Sequence, residues 1–215
     1  MRRKFAFIAL LVASLLVPSI PAPESKAAVK DTPKVLSAYA SVLSKKKYRN
    51  ENQDYGKSYF SLADLNNDGI SELIISSSED FMSKKEYFSY KKGKAYKLKV
   101  PKWDFYPAYG TLYLMPSRGS YAYYRGGPAY DNENGEGVMP YTLYEYKIRK
   151  GKITLVNELY KNQITGKNNK TKNLYSRGSK KCSSKKYESA KRAFGSEITF
   201  VANSKANRQM KGMVR

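Results

Sequence analysis

Histidine is absent from the 215 residues, and cysteine occurs once. Without His there is no Ser–His or Cys–His nucleophile pair and no His-ligated zinc. A single Cys excludes an intrachain disulfide and an iron–sulfur cluster. Acidic residues are scarce, 18 against 40 Lys+Arg, so the formal net charge is +22. What is present is an apolar fraction of 41% and 20 Tyr. That is enough for a core and excludes disorder throughout, and the length suits one domain.

The N-terminus reads as an export signal. Met1-Arg2-Arg3-Lys4 is positive, Phe5 to Val17 is an uninterrupted run of apolar and small residues, and Pro18, Pro21 and Pro23 follow. Ser25 and Ala27 place small residues before a cleavage point. The apolar run is short for a bilayer span. The expected organisation is a secretory signal peptide over residues 1–27, then a single domain over 28–215 with no transmembrane segment. Removing residues 1–27 takes away Arg2, Arg3, Lys4, Lys26 and Glu24, which lowers the charge from +22 to +19.

The excess charge is uneven. Residues 161–196 carry 11 Lys+Arg and one acid, Glu188. Such a surface attracts polyanions with a strength that falls as salt rises. Lys167, Lys170, Lys172, Lys180, Lys181, Lys185 and Lys186 are the candidate contacts. For an exported protein the partners would be anionic cell-wall or extracellular polymers.

Periodicity predicts α+β architecture. Thr32 and Pro33 open a helix whose Val35, Leu36, Tyr39, Val42 and Leu43 share a face. From Lys57 to Lys161, Tyr- and Ile-rich runs flank Gly-containing turns, which predicts four hairpins in series. They are Tyr59–Leu65 with Ile70–Ser76, Tyr87–Tyr90 with Tyr96–Val100, Tyr109–Met115 with Tyr121–Tyr124, and Tyr144–Ile148 with Ile153–Leu159. The expected fold is an antiparallel β-meander, a curled or barrel-like sheet of about eight to nine strands. A basic mobile loop is expected at 162–184, then a helix near Lys185–Phe194 capped by Ser184, a strand at Ile198–Ala202 and a short terminal helix.

The most specific stretch is Asp64-Leu65-Asn66-Asn67-Asp68-Gly69-Ile70-Ser71-Glu72. Oxygen side chains stand at positions 1, 3 and 5, Gly at 6 and a carboxylate at 9. Ca²⁺ takes about six to eight oxygen ligands, and alternate residues of a tight loop point inward. Asp64, Asn66 and Asp68 can converge, Gly69 allows the turn, Ile70 offers a carbonyl, and Glu72 closes the shell. An EF-hand needs Glu at position 12, where Ile75 stands, and helices where strands are predicted. The expected cofactor is Ca²⁺ at a hairpin tip.

This D-x-N-x-D-G-x-x-E loop between two apolar strands resembles the calcium loops of FG-GAP repeats in integrin-type propellers, with Glu72 where those carry Asp. The chain after residue 27 also resembles a group of secreted proteins of low-GC Gram-positive bacteria. In those, an amphipathic helix precedes a strand–D-x-N-x-D-G-x-x-E-L–strand unit, Tyr-rich hairpins and a terminal Asn-Arg segment. The matching pieces are Val35–Leu43, Phe60–Ile75, and Phe200–Arg208 with Asn203, Asn207 and Arg208. The resemblance implies a fold and a metal rather than an activity.

Three further features are weaker. Asp131, Glu133 and Glu136 lie in a Gly-containing loop that reads as flexible. Residues 101–131 are rich in aromatics, of which Trp103, Tyr121 and Tyr123 are candidates for a stacking platform. Cys182, among lysines, reads as an unpaired surface thiol. Together these readings predict an exported, non-enzymatic, calcium-stabilised module that contacts polyanions. The alternative is a secreted calcium-dependent hydrolase or lyase acting on nucleic acid or an acidic polysaccharide.

Overall fold

Pro33–Leu43 forms α1, opened by Thr32, whose hydroxyl accepts from the Val35 N–H at 3.4 Å. The structure is a computed structural model that describes residues 31–48, 58–77, 85–101 and 110–213. The expected signal peptide and Trp103 lie outside these residues. The chain continues through β1 (Tyr59–Ala63), β2 (Glu72–Ser76), β3 (Lys85–Lys91), β4 (Lys94–Lys97), β5 (Thr111–Met115) and β6 (Ser120–Gly126). Then come β7 (Tyr130–Asp131), β8 (Gly137–Arg149), β9 (Lys152–Thr165), β10 (Thr171–Arg177), β11 (Lys180–Lys181), α2 (Ser184–Arg192), β12 (Val201–Ala202) and α3 (Lys205–Met210).

These strands form two antiparallel sheets, of five and seven strands, and not the expected single curled or barrel-like sheet of about eight to nine. One runs β12-β1-β2-β3-β4, the other β11-β10-β9-β8-β6-β5, with β7 beside β8. The reason is legible in β2, which is buried at every position. Leu73 and Ile75 face α1 with Phe60 and Phe88. Ile74 faces the second sheet, where Ala63, Leu65 and Tyr87 meet Leu112, Tyr121, Tyr123, Tyr146 and Ile153. A strand apolar on both sides must be covered on both sides, which a barrel wall with an outer wet face does not provide. The far face of the second sheet carries Met115, Ala122, Leu143 and Leu159 under Tyr187 and Ala190 of α2. The layers are therefore helix, sheet, sheet, helix.

All four expected hairpins form, in the order β1–β2, β3–β4, β5–β6 and β8–β9. The mobile loop expected at 162–184 does not: β9 runs on to Thr165 and pairs with β10 over seven positions, from Thr171↔Thr165 to Arg177↔Leu159. Its residues are polar because both faces of β10 are largely solvated, so composition carries no trace of the backbone ladder that holds them. Ser183, not Ser184, is the N-cap of α2, and Cys182 beside it is half-buried, its N–H bonded to the Tyr175 carbonyl.

The chain from Gly195 to Ala202 joins the sheets edgewise. Gly195 and Ile198 donate to Leu114 and Leu112 of β5, and Val201 pairs with Phe60 of β1. Asn203 then ties three elements: its amide donates to the carbonyls of Leu43 at 3.2 Å and Tyr48 at 2.8 Å, and its Oδ1 accepts from Arg208 at 2.6 Å. Among the described residues no helix is long and apolar enough to cross a membrane.

Candidate metal centre

The loop between β1 and β2 is built by its own polar side chains. Asp64 accepts the N–H of Asp68 on Oδ1 at 3.1 Å and that of Gly69 on Oδ2 at 2.8 Å. Asn66 Oδ1 accepts the Asp68 N–H at 2.9 Å, and Asp68 Oδ1 accepts the Ile70 N–H at 3.0 Å. Side chains at positions 1, 3 and 5 thus fold inward onto the backbone, as short Asp and Asn side chains do in turns. Gly69 sits at φ +89°, a left-handed conformation that favours Gly. The Ile70 side chain packs toward the α1 layer, leaving its main chain to the loop.

Glu72 closes the loop from within the protein. It begins β2 on the face toward the second sheet and is fully buried. Its carboxylate accepts the Leu65 N–H at 3.0 Å, the Ser89 hydroxyl at 3.1 Å and the Asn66 amide at 3.4 Å. The same Asn66 amide donates to Asp68 Oδ2 at 2.9 Å, so it stands between two acids. Burial pushes the Glu72 carboxyl up to about 8. The Leu65 and Ser89 donors oppose that rise, and the charges of Asp68 and Asp64 add to it.

The surroundings of the acids differ across the molecule. Glu86 pairs with Lys47 and Lys97, Glu136 with Lys172, and the buried Glu145 with Arg118. Among the described residues no Lys or Arg pairs with Asp64, Asp68 or Glu72, although the chain carries +22. Among the described residues no three His, Cys, Asp or Glu side chains come together as a group that could hold a metal ion by themselves. The expected ligand set is mixed, with Asn66 and the Ile70 carbonyl between the carboxylates.

The loop also braces the two sheets. Asn67 donates to the Pro116 carbonyl at 3.2 Å, and the Asn66 carbonyl lies 3.0 Å from where a Cβ on Gly119 would stand. On the other side, the Ser71 N–H bonds to Asp31 at 2.9 Å and the Ser71 carbonyl accepts from Tyr39 at 2.7 Å. Sequence spacing does not identify Ser89 or Asn67, because their partners depend on the β2–β3 register and on how the sheets stack.

The other candidates fare unevenly. Tyr121 and Tyr123 are buried, 1% and 5% exposed, so they are core and not a platform. Alternation assigned the two to one face correctly, but that face is the one between the sheets. The seven lysines are all exposed but do not form one patch. Lys167, Lys170 and Lys172 lie at the start of β10, and Lys180, Lys181, Lys185 and Lys186 beyond its end. Four strand steps, roughly 13 Å, separate Lys172 from Ser176, the residue that Lys181 faces. The first group lies beside the Asp131–Glu136 loop, which is ordered by Asn132: its Oδ1 accepts the N–H groups of Asn134 and Glu136. The Asn132 amide and Lys172 hold the Glu136 carboxyl below its ordinary range. That loop therefore holds its own counter-charge.

A cleft of about 270 Å³ borders the Asp64–Glu72 loop, with Asp64, Ser71, Leu114, Glu197 and Lys211 among its lining residues. No family model, no curated protein and no solved structure matches the chain.

Proposed function

We propose that this protein is an exported, non-enzymatic binding module whose Asp64–Glu72 loop holds Ca²⁺ and whose basic surface contacts anionic wall or extracellular polymers. The observation that carries the metal is the missing counter-charge. Of the two fully buried carboxylates among the described residues, Glu145 has Arg118 beside it, while Glu72 finds only N–H, O–H and amide donors and stands next to the acids Asp64 and Asp68. Glu72 accepts hydrogen bonds as an ionised carboxylate does, yet burial disfavours its charge. A divalent ion resolves that conflict, taking the place of the Asn66 amide as the positive partner of Asp68 and Glu72. Asp64, Asn66, Asp68, Glu72 and the Ile70 carbonyl are all hard oxygen donors, which suits Ca²⁺.

The ion is structural in this reading. It neutralises the loop and stiffens the contact between β1–β2 and the Pro116–Gly119 turn. Affinity falls in the range of extracellular modules, about 10⁻⁴–10⁻³ M. A thermal melt titrated with CaCl2 and, separately, MgCl2 tests it. A saturable rise in Tm with Ca²⁺ and little with Mg²⁺ is expected, because Mg²⁺ dehydrates reluctantly. Equal curves with and without Ca²⁺ reject the site.

The cleft beside Asp64 favours one second reading, a calcium-dependent hydrolase or lyase on an anionic polymer, with Glu197 and Lys211 in the lining of the cleft that Asp64 shares. Calcium-dependent cleavage of nucleic acid or acidic glycan that is lost in Glu197→Gln, with the melt unchanged, would replace the binding module by that enzyme.

A further inference from the structure

The second sheet ends in a half-covered edge. β11 pairs with β10 only at Ser176↔Lys181 and Arg177↔Lys180, and the last main-chain bond on that side is Cys182 N–H to the Tyr175 carbonyl. On the opposite side, the Lys170 carbonyl accepts from Gly166 in the turn to β9. Strand groups alternate in direction with a period of two. Lys172 and Leu174 therefore bond toward β9, and the N–H and C=O of Thr171 and Asn173 point outward. The chain leaves this edge at Ser183 and turns into α2, whose Tyr187 packs on Tyr175 at 5.6 Å and whose Ser189 meets Arg118 at the β5–β6 turn. It crosses the sheet and leaves Thr171–Leu174 exposed.

Two properties say what fits there. Leu174 is 51% exposed, among the most exposed large apolar side chains described, and it stands on this edge strand. An added strand would cover it. The edge is also bracketed by exposed Lys170 at one end and by Lys180, Lys181, Lys185 and Lys186 at the other. Edge lysines deter a neutral or basic strand, including a second copy of this chain. An acidic strand is drawn in by the same charges.

We propose that the open edge of β10 at Thr171–Asn173 takes an extended acidic segment of a partner protein as an added strand, collinear with β11. The main chain of Thr171 and Asn173 supplies the ladder, Leu174 the apolar contact, and the flanking lysines the selection for acidic side chains. This goes beyond polyanion attraction, because it requires a hydrogen-bonding backbone in the ligand.

The test is fluorescence anisotropy of the full chain with a labelled peptide of about eight residues alternating Val and Glu. A second peptide of equal charge has Pro in place of two Val and cannot complete a ladder. The Val–Glu peptide should bind below about 1 mM, and the Pro peptide about tenfold or more weaker. Asn173→Pro removes an outward N–H without touching the β9 ladder and should weaken the Val–Glu peptide equally. Where that variant fails to fold, the comparison of the two peptides on the unaltered protein decides. Equal binding of both peptides would mean charge alone and overturns the proposal, as does no binding of either. So does a dimer in sedimentation that Asn173→Pro dissociates, which would show a second copy on the edge.

Discussion

Glu72 sets burial against charge. Below about pH 4.5, its ordinary value, it is protonated in folded and unfolded chains alike and costs nothing. As pH rises the unfolded chain releases that proton first, so the folded state is penalised increasingly until Glu72 ionises near pH 8. In chelator-treated protein Tm is expected to fall across that window, with a loss on the order of a few kcal/mol by its upper end. Saturating Ca²⁺ should flatten the fall, since it favours the ionised form. Glu72→Gln should flatten it without calcium and should abolish the calcium-induced rise in Tm. A metal-free Tm that climbs between about pH 5 and about pH 8 would contradict this account. Asp64 and Asp68 were recognisable from spacing and turn chemistry. Ser89, the hydroxyl partner of Glu72, was not, because nothing local to β3 marks which β2 residue it will face.

At the scale of elements, the hairpins were readable because Gly-containing turns sit between alternating apolar runs. Lys92 and Lys150 take positive φ just before Gly93 and Gly151, in the two turns whose sequences resemble each other. β10 was not readable, since an edge strand wet on both faces has the composition of a loop. The Asn203 junction was not readable, because its partners Leu43, Tyr48 and Ser58 lie more than 140 residues away in the chain. One side chain there joins the end of α1, the turn at Tyr48 and α3, so Asn203→Ala orphans the Leu43 carbonyl and leaves the Tyr48 carbonyl only the Ser58 hydroxyl and Arg208 only the main-chain carbonyl of residue 203. Urea unfolding should show a loss of about 1–3 kcal/mol. A change within error would mean solvent satisfies those groups. The β1–β2 tip makes a similar joint. Gly119 has φ +53° and faces the Asn66 carbonyl, so Gly119→Ala should destabilise by roughly 1 kcal/mol or more and weaken the calcium response.

At the scale of the molecule, the charge is the property with the longest reach. Retention on a polyanion matrix should be present at low salt and fall steadily as salt rises. Retention that ignores salt, or none at low salt, removes the electrostatic half of the proposed function. The lysines past the end of β10 should matter more than those at its start, where Glu136 already answers Lys172. Lys180→Ala with Lys181→Ala is therefore expected to shift elution further than Lys167→Ala with Lys172→Ala.

The sequence by itself determined the chemistry available and the local structure: no imidazole, one thiol, a surplus of lysine, the first helix, four hairpins and a tight oxygen-rich turn. Each depends on residue type or on neighbours a few positions apart. Tertiary structure decided that β2 would be covered twice and so divide the strands into two sheets. It also decided that Tyr121 and Tyr123 would be core, that the lysines would fall into two groups, and that Glu72 would lie buried beyond the reach of a basic partner. Those outcomes depend on which faces stack and in what register, and stacking is settled by contacts between residues far apart in the chain.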